Sequence, residues 1–163
     1  MGRRATVRAL MVLTLAAAPG LEAHGRAMGL GVGLALGEPV SATIAYRIDE
    51  VQTVQALQGW SFGQKRMHMG LDYVYTVSEI TSDESMGLRY PVSIGVGLRG
   101  RMFGSGTVAA QERGSVGLRF PFCVGVEPES FPLEVYFEMA PVWVVAPISH
   151  GGFDGGIGGR IFF

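Results

Sequence analysis

From Met28 onward, apolar side chains recur at every second position of this chain. That period belongs to β-strands, in which successive side chains point to opposite faces, and helical spacing is hard to find. Residues 28–36 show the pattern well, because leucines and Val32 alternate there with glycine and alanine. The sequence therefore predicts an all-β fold whose strands have two chemically different faces.

About eight segments carry this alternation, and most approach the ~9 to 11 residues that cross a bilayer as a tilted strand. The predicted strands are 28–36, 40–48, 53–62, 66–77, 90–101, 115–126, 133–140 and 153–163. Turn residues separate them in the clusters Gly37-Glu38-Pro39, Asp49-Glu50, Gly63-Gln64-Lys65, Ser82-Asp83-Glu84-Ser85, Gly104-Ser105-Gly106, Glu127-Pro128-Glu129 and Ser149-His150-Gly151-Gly152. We expect Pro141 and Pro147 to bend or end the seventh strand, since proline lacks an N–H for the ladder.

The face opposite to the apolar one combines glycine and serine with charges of both signs. Its charged residues are Arg47, Arg66, Asp72, Arg99, Arg101, Arg119, Glu134, Glu138, Asp154 and Arg160. A soluble lipocalin-like barrel keeps its apolar face inside, whereas a membrane barrel turns that face toward lipid. Rows of glycine with a single lysine, Lys65, do not suit a solvent-facing surface. The pattern favours a closed antiparallel transmembrane β-barrel of meander topology.

Inside a narrow barrel, small residues make room and opposite charges must pair. We therefore interpret the ten charged residues as a lumen network. Within it we expect Glu134 and Glu138 to pair with Arg160, Arg119 and Arg47, which would leave no continuous pore.

Residues 1–23 have the layout of a secretory signal peptide, with Arg3, Arg4 and Arg8 before an apolar run and a cleavage site after Ala23. The run is roughly half of the ~20 residues that a membrane-spanning helix needs, and Gly, Pro or a charge interrupts every later candidate. We expect a cleaved leader, residues 1–23, followed by one barrel domain, residues 24–163. Export of such a barrel predicts residence in the bacterial outer membrane.

Charge and cysteine content exclude other classes. The net charge is −1, and loss of the leader, with three Arg against one Glu, makes it about −3. Nothing in that balance suggests a nucleic-acid partner. Cys123 is the only cysteine, so one chain can build neither a disulfide framework nor a cysteine-based metal site. We interpret Cys123 as a small buried residue.

Aromatic residues on the apolar face should form two girdles at the membrane boundaries. With both termini periplasmic, the periplasmic girdle contains Tyr46, Tyr73, Tyr75, Tyr90 and Phe163, and the outer girdle contains Trp60, Phe62, Trp143 and Phe153. The connection 78–88 is long for a periplasmic turn.

Several segments give the chain a family resemblance. They are GLGVGLALGEP at 29–39, GWSF at 59–62, LDYVY at 71–75, LRFPFCVGV at 118–126, PLEVYFEMAPVWVVAP at 132–147 and GGIGGRIFF at 155–163. The chain resembles the small outer-membrane β-barrels of the OmpA and OmpX transmembrane-domain type, over nearly its whole mature length. The resemblance implies fold and location and brings no catalytic residue. Phe163, with Ile161 and Ile157 before it, is similar to the C-terminal signal read by barrel-assembly machinery.

Two motifs hint at chemistry. Residues 95–100 match the GxGxxG fingerprint of dinucleotide sites, but that motif needs a following helix, so we interpret its glycines as lumen packing. His68 and Asp72 share a strand face, yet four residues of strand span about 13 Å, too far for a hydrogen bond. Ser93 or Ser115 could approach His68 from neighbouring strands.

These observations predict a non-enzymatic outer-membrane barrel that contributes to envelope structure or presents loops to an external partner. We expect no catalytic, cofactor or metal residues, and a monomer whose partners are outer-membrane lipid and, during biogenesis, the barrel-assembly machinery. The alternatives are a small passive channel, a lipid-modifying barrel enzyme and a soluble lipocalin-like carrier.

Overall fold

The computed structural model describes residues 26–62, 66–81, 87–103 and 114–163, and every regular element in those ranges is a β-strand. The strands are β1 (Gly29–Glu38), β2 (Val40–Arg47), β3 (Gln52–Ser61), β4 (Arg66–Thr81), β5 (Leu88–Phe103), β6 (Gly114–Arg119), β7 (Phe122–Pro128), β8 (Leu133–Ala146) and β9 (His150–Phe162). No helix in this part of the chain is long and apolar enough to cross a membrane. The predicted leader, residues 1–23, and the predicted turns at 63–65, 82–85 and 104–106 lie outside the described residues.

The nine strands form one antiparallel sheet that closes on itself. Consecutive strands pair from β1 to β5, and β9 pairs with both β8 and β1. Both β6 and β7 lie between β5 and β8, one after the other, so the ring has eight strand positions. The prediction of an all-β antiparallel meander with about eight strands is confirmed.

The predicted sixth strand, 115–126, is interrupted at Phe120 and Pro121 and forms β6 and β7. Pro121 has no N–H for the ladder, although its carbonyl accepts a hydrogen bond from the Gly95 amide at 2.8 Å. The inward and outward positions continue unchanged through the interruption, and both strands keep one register with β5. The prediction of one continuous strand was wrong, but its assignment of faces was right.

β8 runs through Pro141 and ends at Ala146, directly before Pro147. The expectation that the seventh strand would end at Pro141 was therefore wrong, whereas the expectation that it would end at Pro147 is confirmed. The Pro141 carbonyl accepts from the Phe120 amide at 3.0 Å. In an antiparallel strand the N–H and C=O of one residue point to the same side, so the N–H that Pro141 lacks would have faced the interruption at Phe120 and Pro121. The ladder between β8 and β9 stays intact on the other side.

Two ends of the ring can be distinguished. We call the end that holds the start of β1 and the end of β9 the terminal end; it also holds the connections 48–51, 82–87 and 129–132. The opposite, far end holds the connections at 39, 62–65, 104–113 and 147–149. The long connection expected at 78–88 is shorter, because β4 continues to Thr81 past a bulge between Thr76 and Ser78.

The ring has its apolar face outside and its polar face inside. Leu34 and Leu36 are 65% and 69% exposed, whereas Arg47 and Arg119 are 3% and 2% exposed. Eight exposed aromatic side chains on the outward face lie toward one of the two ends of the ring, whereas exposed Phe120, Phe122 and Phe137 lie between them, and Tyr90, expected in the periplasmic girdle, is half-buried. Tyr46, Tyr73, Tyr75 and Phe163 lie toward the terminal end, and Trp60, Phe62, Trp143 and Phe153 lie toward the far end.

Candidate functional site

The middle of the ring is crossed by a buried charge layer centred on Arg119. Its guanidinium donates to Asp72 on β4 and to Glu138 on β8, and its Nε lies 3.5 Å from an Asp154 carboxylate oxygen on β9. Gln55 Nε2 bridges the two acids, at 3.0 Å from Asp72 Oδ2 and 3.1 Å from Glu138 Oε2. These charge-assisted bonds link β3, β4, β6 and β8 across the interior.

A second cluster closes the terminal end, where three arginines share two carboxylates. Arg26 Nη2 donates to Glu127 Oε1 at 2.8 Å, and Arg47 donates to the same oxygen. Arg47 also lies 3.2 Å from Glu134 Oε2, which Arg160 approaches to 3.8 Å. All five side chains are buried, so this end of the interior is filled with paired charges.

Aromatic rings support two of these arginines. The Arg47 guanidinium carbon lies 3.6 Å from the centroid of the Phe162 ring, and that of Arg160 lies 4.0 Å from the centroid of the Tyr136 ring. Gly158 leaves room for the Tyr136 ring, because a Cβ there would lie 2.7 Å from Tyr136 Cε1. Planar guanidinium groups stack on aromatic faces, so the rings fix where the charges lie.

Sequence reasoning missed two members of the terminal-end cluster. Glu127 was expected in a turn, but it belongs to β7 and is 6% exposed. The alternation contained the signal, since 127 continues the inward positions 119, 121, 123 and 125. Arg26 precedes β1, so no strand pattern marked it; its Nη1 donates to the Glu50 carbonyl and to Thr76 Oγ1, both at 2.9 Å.

A third cluster lies toward the far end and contains His68, Arg99, Arg101 and Asp154. Arg99 Nη2 donates to Asp154 Oδ1 at 2.8 Å and also to His68 Nδ1, and Arg99 Nη1 lies 2.8 Å from Asp154 Oδ2 in a salt bridge. Arg101 is the cross-strand neighbour of His68 and reaches across the ring to β9, where its Nη2 lies 3.1 Å from the site of a Cβ on Gly152. Arg66, at the start of β4, is half-buried near the same end. The ten charged residues of the sequence analysis thus all face the interior.

Among the described residues, His68 forms no hydrogen bond with a serine hydroxyl. Ser93 lies 3.0 Å from the Thr76 hydroxyl, toward the terminal end, while His68 contacts a guanidinium. Buried Cys123 lies 3.4 Å from Glu138 Oε2. In the described ranges, no group of three or more His, Cys, Asp or Glu side chains could hold a metal ion. The GxGxxG residues, 95–100, lie inside β5.

Two cavities bordered by interior residues of the described ranges are small. One cavity of about 20 Å³ is bordered by residues that include His68 and Arg99, and another of about 20 Å³ by residues that include Arg26 and Cys123. Each has room for about one water molecule. Around these two cavities, side chains fill the interior.

The residues of the expected assembly signal lie on the outward face of β9. Ile157, Ile161 and Phe163 are all exposed, and the Phe163 amide donates to the Leu30 carbonyl at 2.8 Å. The last residue is thus tied to β1 at the closure of the ring.

One turn at the terminal end is held by a carboxylate. Asp49 accepts hydrogen bonds from the amides of Val51 at 2.9 Å and Gln52 at 2.7 Å. These bonds lower the pKa of the Asp49 carboxyl from its ordinary value, with the Val51 amide the largest cause.

Comparisons with protein-family models, with curated proteins and with solved structures find no match to this chain.

Proposed function

We propose that this chain is exported, cleaved after Ala23 and inserted into the bacterial outer membrane as a closed eight-position β-barrel. There it serves as a non-enzymatic envelope protein, which contributes to envelope structure or presents its far-end loops to an external partner. The observation that carries the proposal is the inversion of the two faces, with large apolar side chains exposed outside and charges buried inside.

The outward face suits lipid better than water. Soluble monomers rarely expose contiguous apolar patches beyond a few hundred Å². Here exposed Leu, Val, Ile, Phe or Met side chains occur at every strand position of the ring except β3, which exposes Trp60. Ring closure also pairs the strands without open edges, which is the condition for strands to span a bilayer. The eight outward aromatic residues toward the two ends lie where interfacial girdles would, and Phe120, Phe122 and Phe137 lie between them, where the outward face would meet the lipid interior.

One connection supports an orientation. The start of β1 and the end of β9 both lie at the terminal end, and the longest connection between strands, 104–113, joins two strands at the far end, where the other connections are as short as those of the terminal end. Short periplasmic turns and longer external loops are typical of outer-membrane barrels. We therefore assign the terminal end to the periplasm and the far end, with the connection 104–113, to the outside.

The buried charge clusters argue against the three alternatives. A passive channel needs a continuous path, whereas paired side chains cross the interior at two levels. A lipocalin-like carrier needs an apolar interior, and this interior carries arginines and carboxylates. A lipid-modifying enzyme needs an activated nucleophile, and His68 bonds to Arg99 rather than to a hydroxyl.

Planar-bilayer recording tests the closed lumen. The protein purified from membranes should insert without steady single-channel conductance, and Arg119→Ala should introduce conductance steps by opening the central layer. Glu129→Ala, at the terminal-end connection, is the matched control. Steady conductance of the unmodified protein would favour the channel, and a changed lipid A mass on expression would favour the enzyme.

A further inference from the structure

The outward face of β3 carries an amide among apolar side chains. Gln58 is exposed and points outward, as Trp60 does two residues later. Its cross-strand neighbours are Ala42 on β2 and Met69 on β4. The alanine side chain has no hydrogen-bonding group, and the methionine thioether is only a weak acceptor. These neighbours therefore leave the donor and the acceptor of the Gln58 amide unmet.

A second outward glutamine of β3 shows the contrast. The Gln52 carbonyl Oε1 accepts from the Tyr73 hydroxyl at 2.7 Å, and Gln52 Nε2 donates to Asp49. Within the described ranges, no hydrogen bond joins the Gln58 side chain to another residue. Gln52 is thus satisfied by its own chain, whereas Gln58 is not.

Gln58 lies between the aromatic residues of the two ends. Val54, four residues earlier on β3, pairs with Tyr46 and with Tyr73, which lie toward the terminal end. Trp60, two residues after Gln58, lies toward the far end. In the proposed membrane, on which this inference rests, Gln58 faces hydrocarbon. An amide there is costly to leave unmet, because lipid chains offer no hydrogen-bond partner.

The surface around Gln58 is low. Among the described strand positions of the ring, β3 alone exposes no Leu, Val, Ile, Phe or Met side chain. Exposed Ala42 and Ala56 lie beside Gln58 on the same face. Small residues allow two protein backbones to approach closely within a membrane, and amide side chains can hydrogen-bond across the contact. This part of the outward face is therefore suited to contact with another protein surface.

Symmetry indicates which protein that is. Two copies inserted in one membrane have the same orientation, so the two-fold axis of their dimer runs along the membrane normal. A residue beside that axis meets the same residue of the other copy at the same depth. A carboxamide is self-complementary, because its NH₂ group donates and its carbonyl accepts. Two glutamines can therefore exchange two hydrogen bonds across the axis.

We propose that β3 is the interface of a symmetric dimer, in which Gln58 bonds to the same residue of a second copy and Ala42 and Ala56 pack around the pair. Each amide gains from the other copy the partners that its own chain does not supply. In this proposal a dimer replaces the monomer expected from the sequence. The inference goes beyond the envelope role, because it names a partner and the surface that binds it.

Sedimentation equilibrium tests the dimer. The protein is purified from membranes in pentaethylene glycol octyl ether, with the solvent matched to the detergent density, and we expect a monomer–dimer equilibrium. Gln58→Leu should weaken dimerisation by roughly 10-fold, because two hydrogen bonds in a membrane environment are lost. Gln52→Leu is the matched control on the same strand and should dimerise as the unmodified protein does. A monomer at every protein concentration, or a Gln58→Leu dimer as tight as the unmodified one, would overturn the proposal.

Disulfide cross-linking tests the geometry in the membrane. Gln58→Cys, oxidised with copper phenanthroline in isolated outer membranes, should form a linked dimer. Phe137→Cys, which places an outward cysteine on the opposite side of the ring, should not form one under the same oxidation. The native Cys123 is buried, so the introduced cysteine is the one that reacts. Equal cross-linking of the two variants would indicate random collision and count against the interface.

Native mass spectrometry of the detergent extract distinguishes other occupants. A lipid or a different protein that binds the unmodified chain and is lost from Gln58→Leu would refute the second copy as the occupant of β3. A monomer found in the outer membrane would refute the dimer and leave the membrane proposal standing. A water-soluble protein would refute both, since the dimer rests on the membrane.

Discussion

Arg119 on β6 and Glu138 on β8 form an ion pair inside the ring, with side chains 2% and 11% exposed. The second oxygen of Glu138 is also occupied, because Gln55 Nε2 lies 3.1 Å and Cys123 Sγ 3.4 Å from it. Glu138 is therefore a junction between four strands. Its removal would leave the guanidinium of Arg119 with less compensating charge in a buried place.

We predict that Glu138→Ala lowers the free energy of unfolding by about 3 kcal/mol, because removal of one partner of a buried pair costs roughly 3 to 5 kcal/mol and Asp72 still compensates Arg119 in part. Glu129→Ala removes a half-exposed partner of Arg89 and should cost only about 0 to 1 kcal/mol. Urea-dependent unfolding in detergent measures both. Equal losses would show that the central charge layer does not stabilise the fold.

Arg26 ties the residues before β1 to the terminal-end cluster. We predict that Arg26→Gln lowers the free energy of unfolding by about 2 kcal/mol, since it removes bonds to a charged group while Arg47 still neutralises Glu127. Arg89→Gln, which breaks only partly exposed pairs, should change it by about 0 to 1 kcal/mol. The same urea assay compares them. If Arg26→Gln left the free energy of unfolding unchanged, the ion pairs of the terminal-end cluster would not stabilise the fold.

Gly158 and Gly151 allow a packing test within one strand, β9. A Cβ at Gly158 would collide with the Tyr136 ring, which supports Arg160, whereas a Cβ at Gly151 would meet nothing within 4 Å. We predict that Gly158→Ala costs about 1 to 3 kcal/mol through overpacking and that Gly151→Ala stays within about 0.5 kcal/mol of zero. Thermal unfolding followed by circular dichroism measures both. A Gly158→Ala variant as stable as the unmodified protein would mean that the Tyr136 side chain does not lie over Gly158.

Asp49 predicts an acid dependence. Its folded pKa is lowered by amide hydrogen bonds, so its contribution to stability is fully present above the ordinary value of 3.8 and is lost as the pH falls through the lower folded value. Carboxyl NMR titration should give an Asp49 pKa below 3.8. In Asp49→Asn the difference in stability from the unmodified protein should shrink at pH values below that pKa. An Asp49 carboxyl whose pKa lies at or above its ordinary value would show that the Val51 and Gln52 amides do not bind it in the folded protein.

Much of this fold could be predicted because period two fixes the face of every strand residue. Arg47, Arg99 and Arg119 were assigned to the interior on that basis, and alternation continued correctly even through Pro121. The interruption at Pro121 was missed because the missing N–H of proline was considered at Pro141 and Pro147 and not at Pro121, where the side-chain alternation alone predicted a continuous strand. Arg26 was missed because it belongs to no strand, and only the ring brings it to Glu127.

We propose that the ring spans the outer membrane with its apolar face toward lipid. The most direct measurement is fractionation of cells that express the chain, followed by electrophoresis of the detergent extract with and without boiling. We predict a protein cleaved after Ala23, found in the outer membrane and released only by detergent, whose migration changes on boiling. A protein recovered soluble from the periplasm, or retained in the inner membrane with an intact leader, would contradict the claim.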